Sequence, residues 1–155
     1  MSTELGWHQV VFELIVMEIR LDHIGIAVND LDEAEKFWNL LGISSTQPDE
    51  KVADQGVITR FMPISKQIST PASIELLKPT GENTPIGKFI AKRGVGIQQI
   101  CFEVSDLDGM IKKLIKNGIN MIDENPRNGA HGKMIAFVHP KSTGGVLVEL
   151  AQTAQ

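Results

Sequence analysis

Two stretches of the chain alternate apolar and polar residues in the same way. Residues 21–28 (Leu-Asp-His-Ile-Gly-Ile-Ala-Val) and 97–104 (Ile-Gln-Gln-Ile-Cys-Phe-Glu-Val) each have the alternation of a strand with one polar-bearing face. Each is followed by Asp-Leu-Asp, at Asp30 and at Asp106, and then by apolar residues at helical spacing. The first stripe is Leu31, Ala34, Phe37, Trp38 and Leu41, with Asn29 or Asp30 as cap and Gly42 as stop. The second is Leu107, Met110, Ile111, Leu114 and Ile115, with Ser105 or Asp106 as cap and Gly118 as stop. Both stripes are expected to pack as core. A constant offset of 76 residues separates His23 from Gln99, Asp30 from Asp106 and Gly42 from Gly118, so the chain is a duplicated module.

Further strand-like runs complete each copy, at residues 56–62 and 72–77 in the first and 134–138 and 145–150 in the second. Pro48, Pro63 and residues 66–70 mark turns in the first copy, and residues 125–132 and 140–145 do so in the second. Thr84, Pro85 and Gly94 bracket a short linking helix. The pattern is βαβββ twice. It predicts an α+β fold of tandem βαβββ modules forming a curved, partly closed mixed sheet around a metal-site cleft, with the helices outside. Strand parity puts Ile24, Ile26, Val28, Ile100, Phe102 and Val104 on the helix side when His23 and Gln99 face the cleft. The same parity puts Ile74, Leu76, Val148 and Leu150 opposite Glu75 and Glu149. A pseudo-two-fold axis would then bring His23 near Gln99 and Glu75 near Glu149.

Length and composition narrow the picture. At 155 residues the chain reads as one domain over 17–155, with modules at about 19–80 and 95–152 and the linking helix at about 84–94. Residues 1–16 precede the repeat and read as an N-terminal extension without an assigned role, or as an extra strand on a sheet edge. Their apolar run 10–16 lacks the basic leader and cleavage site of a signal peptide. A net charge of −4 gives no reason to expect nucleic acid or an anionic membrane as partner. The one cysteine excludes an intrachain disulfide and suits a reducing cytoplasm. No apolar run reaches the roughly 18 residues of a membrane span.

His23, Gln99, Glu75 and Glu149 are the polar residues at equivalent places in the copies. One imidazole nitrogen, one amide oxygen and two carboxylates suit a divalent ion such as Zn, Co, Mn, Ni or Fe with positions left open. Taken singly, each reads as a hydrogen-bonded core residue; their recurrence in both copies favours a metal. Cys101 shares the inward parity of Gln99 and reads as a small buried residue. His131 and His139, at loop and strand ends, read as surface polar groups, and His8 belongs to the extension. The turn 140–145, with Lys141, either lines the cleft mouth or is an ordinary turn. Lys88, Lys92 and Arg93 read as a solvated helix face.

Residues 21–28, 74–79, 85–94 and 139–150 resemble the vicinal oxygen chelate superfamily, which contains glyoxalase I, extradiol dioxygenases and fosfomycin-resistance proteins; within it the resemblance is closest to the methylmalonyl-CoA epimerases. The likeness runs from residue 17 to the end. It implies metal ligands at His23, Glu75, Gln99 and Glu149, an acyl-CoA substrate and a homodimer. Two residues depart from the epimerase pattern. Gln98-Gln99 stands where that family carries His-His, and Thr59 stands where some members carry a carboxylate base. The implied reaction is proton transfer at the carbon beside a thioester through a metal-stabilised enolate, with Glu149 and Glu75 as bases on opposite faces. The rivals are a glyoxalase-I-type lyase on a thiol hemithioacetal and a non-catalytic small-molecule binder. An extradiol dioxygenase, which wants two histidines, is disfavoured by Gln99.

Overall fold

The computed structural model describes residues 18–154; the segment 1–16, with His8, lies outside the described residues. In chain order the elements are β1 (Ile19–Ala27), α1 (Leu31–Leu40), β2 (Glu50–Val52), β3 (Val57–Pro63), β4 (Ser73–Pro79), α2 (Pro85–Arg93), β5 (Gly96–Val104), α3 (Leu107–Lys116), β6 (Arg127–Asn128), β7 (Met134–Val138) and β8 (Val148–Gln152). The strands form one sheet in the order β2-β3-β4-β1-β5-β8-β7-β6. β1 pairs with β5 antiparallel, and each takes the last strand of its own module, β4 or β8, as a parallel neighbour. The order is therefore symmetric about the β1–β5 seam. The result is a mixed sheet curled into a half-barrel with three helices, an α+β fold. The edge strands β2 and β6, three and two residues long, are too short to leave a period in the sequence.

Capping explains where the helices start. The Asp30 side chain accepts from the Glu33 N–H (2.8 Å) and Asp106 from the Gly109 N–H (2.9 Å), so the aspartate is the cap in both copies. Thr84 does the same for α2, accepting from Gly87 at 3.1 Å with Pro85 in the first turn. Gly42 and Gly118 end the runs at φ 82° and 79°, a conformation that carries no penalty only for glycine.

The outer sheet face is the core. Ile24, Ile26, Val28, Ile74 and Leu76 pack with Leu31, Ala34 and Trp38 of α1. Phe102, Val104, Val148 and Leu150 pack with Leu107, Met110, Ile111 and Leu114 of α3. A third cluster joins Ala27, Val52, Val57 and Leu77 to Ile86 of α2. The expectation that both stripes are wholly core is corrected at three positions. Phe37 and Leu41 are each 59% exposed and Ile115 is 43% exposed. Phe37 and Leu41 form a row about 60–100° round the helix from Leu31, Ala34 and Trp38, which make the sheet contact. Phe37 meets Trp38 edge-on instead.

Candidate metal centre

The ladder register builds the site from two rows of three residues. Glu75, Gly25 and Gln99 lie abreast on β4, β1 and β5; His23, Cys101 and Glu149 lie abreast on β1, β5 and β8. The middle residue of each row is small, and the two are related by the 76-residue offset. A side chain at Gly25 would bring its Cβ within 2.6 Å of Gln99 Cγ. Gly25 and Cys101 thus leave space into which the four longer side chains turn.

All four meet there. His23 Nε2 lies 2.8 Å from Glu75 Oε2 and 3.5 Å from Glu149 Oε2. Gln99 Nε2 donates to Glu149 Oε2 at 2.6 Å and lies 3.4 Å from His23 Nε2. None is more than 5% exposed. Among the described residues no lysine or arginine pairs with Glu75 or Glu149, so two buried acids share one imidazole as their counter-charge. A divalent cation would complete that balance. The donor set fits one: turning the Gln99 amide by half a rotation presents Oε1 in place of Nε2. Burial raises the Glu75 carboxyl above the usual carboxylate range, against the pull of His23 and with the Glu149 charge adding to it. Burial also opposes charge on His23, yet Glu75 and the hydrogen bond to Asp22 outweigh it and raise the imidazole well above its ordinary value.

A β-bulge sets the His23 ring. Between Leu21 and His23 the β1–β5 register slips by one, leaving Asp22 as an extra residue; Gln98, its equivalent in the second copy, is extra on β5. The slip lets adjacent residues meet: His23 Nδ1 lies 2.7 Å from Asp22 Oδ2. Burial would raise the Asp22 carboxyl, but hydrogen bonds from His23 and Lys133 outweigh it and hold it well below the carboxylate range. An ionised Asp22 only accepts, so Nδ1 keeps its proton, and Nε2 is the nitrogen that would give up its proton to a cation in the hollow. Lys133 (2.9 Å) and Arg20 (3.0 Å) fix Asp22 in turn, and both reach Glu103, which also accepts from Thr153. Asp22, His23 and Cys101 also bring three donor atoms within 4.8 Å of one another. Asp22 is already engaged with Nδ1, and burial pushes the Cys101 thiol up to about 12, so this trio orients the imidazole from behind. Asp22→Ala is expected to weaken cation binding about 10–100-fold with the fold intact. Calorimetric titration with Zn²⁺ or Co²⁺ checks it; wild-type affinity would remove Asp22 from the site.

The remaining candidates divide. Cys101 is fully buried with Ile135, Phe137 and Ala151. Thr59 is buried on β3. His139 caps a turn, accepting from the Lys141 N–H at 3.1 Å, and Lys141 is not among the residues lining the hollow. Lys88, Lys92 and Arg93 are exposed on α2. His131 is exposed, as its place in a turn suggests, and it also lines the hollow beside Phe61, Gln55 and Lys133. The one signal for it in the sequence is the pair of glycines at 129 and 132 around it.

Residues 22–137 match the family model described as the Glyoxalase/Bleomycin resistance protein/Dioxygenase superfamily. The chain is 38% identical over 135 residues to the mitochondrial methylmalonyl-CoA epimerase of Dictyostelium discoideum, covering 86% of this chain and 78% of that protein. It superposes on the crystal structure of methylmalonyl-CoA epimerase from Mycobacterium tuberculosis with a TM-score of 0.80 and 40% identity, over 87% of this chain and 88% of that one. A methylmalonyl-CoA epimerase solved in complex with methylmalonyl-CoA and NH4+ gives a TM-score of 0.80 at 35% identity, over 87% of this chain and 94% of that one.

Proposed function

The chain belongs to the Glyoxalase/Bleomycin resistance protein/Dioxygenase superfamily, and on that premise we propose that it is an isomerase that epimerises methylmalonyl-CoA. The observation that carries this reading is the convergence of two buried carboxylates, one imidazole and one amide in a single hollow. Relatives named as epimerases at this identity favour it over a glyoxalase-type lyase or a non-catalytic binder.

His23, Glu75, Gln99 and Glu149 would hold a divalent cation, of zinc, cobalt, manganese, nickel or iron. Bound there, the ion supplies a Lewis acid for the substrate oxygen that gains charge as the α-proton leaves. The chain's own part is proton transfer. Glu149 takes the α-proton from one face; the C–H electron pair delocalises into the thioester carbonyl as an enolate; Glu75 returns a proton to the other face. Burial suits this work, because it raises the basicity of Glu75. Thr59 has no basic group, so it takes no part as a base. The reading extends to a homodimer working in the cytoplasm, which sedimentation and cell fractionation test. No helix among the described residues is long and apolar enough to cross a membrane.

The direct test is metal quantification, then interconversion of the two methylmalonyl-CoA epimers with deuterium incorporation at the α-carbon. Retained deuterium-free substrate in metal-loaded protein would overturn the proposal. Cation uptake should also release protons and tighten as pH rises. Without the ion, His23 and Glu75 both hold protons above their ordinary ranges, and a ligand binds only after losing its proton. Titration between about pH 6 and 8 reads this; a flat affinity contradicts it.

A further inference from the structure

The hollow lined by His23, Glu75 and Glu149, with Gln99 packed against Glu149, measures about 20 Å³. That is room for one water or one ion and for no acyl group. Most of its wall is sheet, held by ladder hydrogen bonds. The parts outside the strands are Gln55 and the turn that carries Ala130, His131 and Lys133 between β6 and β7.

That turn crosses from the second module to the first. Ala130 packs on the first module's cluster of Val52, Val57 and Leu77. The His131 backbone N–H donates to both carboxylate oxygens of Glu50 on β2, at 3.2 and 3.1 Å, and its Nε2 lies 3.3 Å from Glu50 Oε2. Its ring lies 4.3 Å from Phe61, which in turn meets His23 edge-on at 5.2 Å. His131 takes φ 56° and ψ 29°, a left-handed backbone that is uncommon outside glycine, though histidine enters it more readily than most side chains. Glycines stand on both sides, Gly132 at φ 67° and Gly129 where an added Cβ would come 2.6 Å from Ile135 Cγ2. The segment is a short strap with a glycine at each end; Ala130 packs on the other module, Lys133 next to the strap pairs with Asp22, and Glu50 holds His131 itself.

We propose that Glu50 is the latch of this strap: it holds residues 129–132 closed over the hollow, and both the cation and the acyl group reach the four buried side chains only when the Glu50–His131 contact breaks. Glu50 touches none of those four, so it is a positioning residue that acts through His131. The acyl part of this inference rests on the epimerase reading; the strap and the cation part do not.

The test uses the full chain and the variants Glu50→Gln and Glu50→Ala, the first nearly isosteric so that folding is preserved. Amide hydrogen exchange over residues 129–133, without any ligand, should quicken about tenfold or more in Glu50→Ala, the scale of a lost charge-assisted hydrogen bond. Stopped-flow uptake of Co²⁺ and its release to a chelator should both quicken by similar factors, leaving affinity nearly unchanged. A merely structural role would instead speed release alone and lower affinity. With methylmalonyl-CoA, Glu50→Gln should change KM more than kcat. Unchanged amide exchange, or unchanged Co²⁺ rates, overturns the latch. If both quicken as stated and no variant turns over methylmalonyl-CoA, the latch stands and the epimerase reading falls.

Discussion

Glu149→Gln is expected to lower epimerisation of methylmalonyl-CoA by about 10²- to 10⁴-fold, the range that a positioned general base contributes. The substitution keeps size and shape, and the new amide oxygen can still face the cation, so binding of the ion should persist while proton abstraction is lost. The two-base geometry makes the prediction sharper. On the proposed reading, each carboxylate would take the proton from one epimer and deliver it to form the other. Glu149→Gln should therefore abolish deuterium exchange from one epimer and retain it, through Glu75, from the other epimer. Glu75→Gln should show the opposite pattern. Mass spectrometry of each pure epimer incubated in deuterated buffer checks this. Full exchange from both epimers by metal-loaded Glu149→Gln would exclude Glu149 as a base.

His23→Ala carries the second large effect, on binding and on stability together. The imidazole is the shared partner of Glu75 (2.8 Å) and Glu149 (3.5 Å), and all three are buried. Removing it leaves two buried acids with the Gln99 amide as their remaining partner. Breaking a buried ion pair from one side costs about 3–5 kcal/mol, so the variant in chelator at neutral pH should unfold at markedly lower urea than wild type. Part of that loss should return on acidification, since protonating a carboxylate removes the uncompensated charge. Cation affinity should fall in the same variant, because one of the four proposed ligands is gone. Urea denaturation with and without Zn²⁺ reads both effects. A loss below about 1 kcal/mol with unchanged cation affinity would mean that His23 is an ordinary packed histidine.

The helices and the central strands were legible because their signals are local. Asp30, Asp106 and Thr84 are caps by chemistry, and Gly42 and Gly118 are stops by backbone freedom. The edge strands β2 and β6 were not, since two or three residues carry no period. The outward position of Phe37 and Leu41 was not legible either. A stripe tells which residues share a helix flank, and only the placement of the helix on the sheet tells how much of that flank is covered.

By itself the sequence determined that the chain is doubled and that His23, Gln99, Glu75 and Glu149 occupy matching strand positions, because duplication and period-two alternation are written in neighbouring residues. It did not determine how the His23 ring is held or what covers it. Asp22 reaches His23 only because a register slip breaks the alternation that the sequence pattern assumes. Lys133 and His131 arrive from more than a hundred residues away, on a turn that closes against Glu50 and Phe61 of the other module. Contacts of that kind arise when two separately encoded sheets join along β1 and β5, and no local pattern carries them.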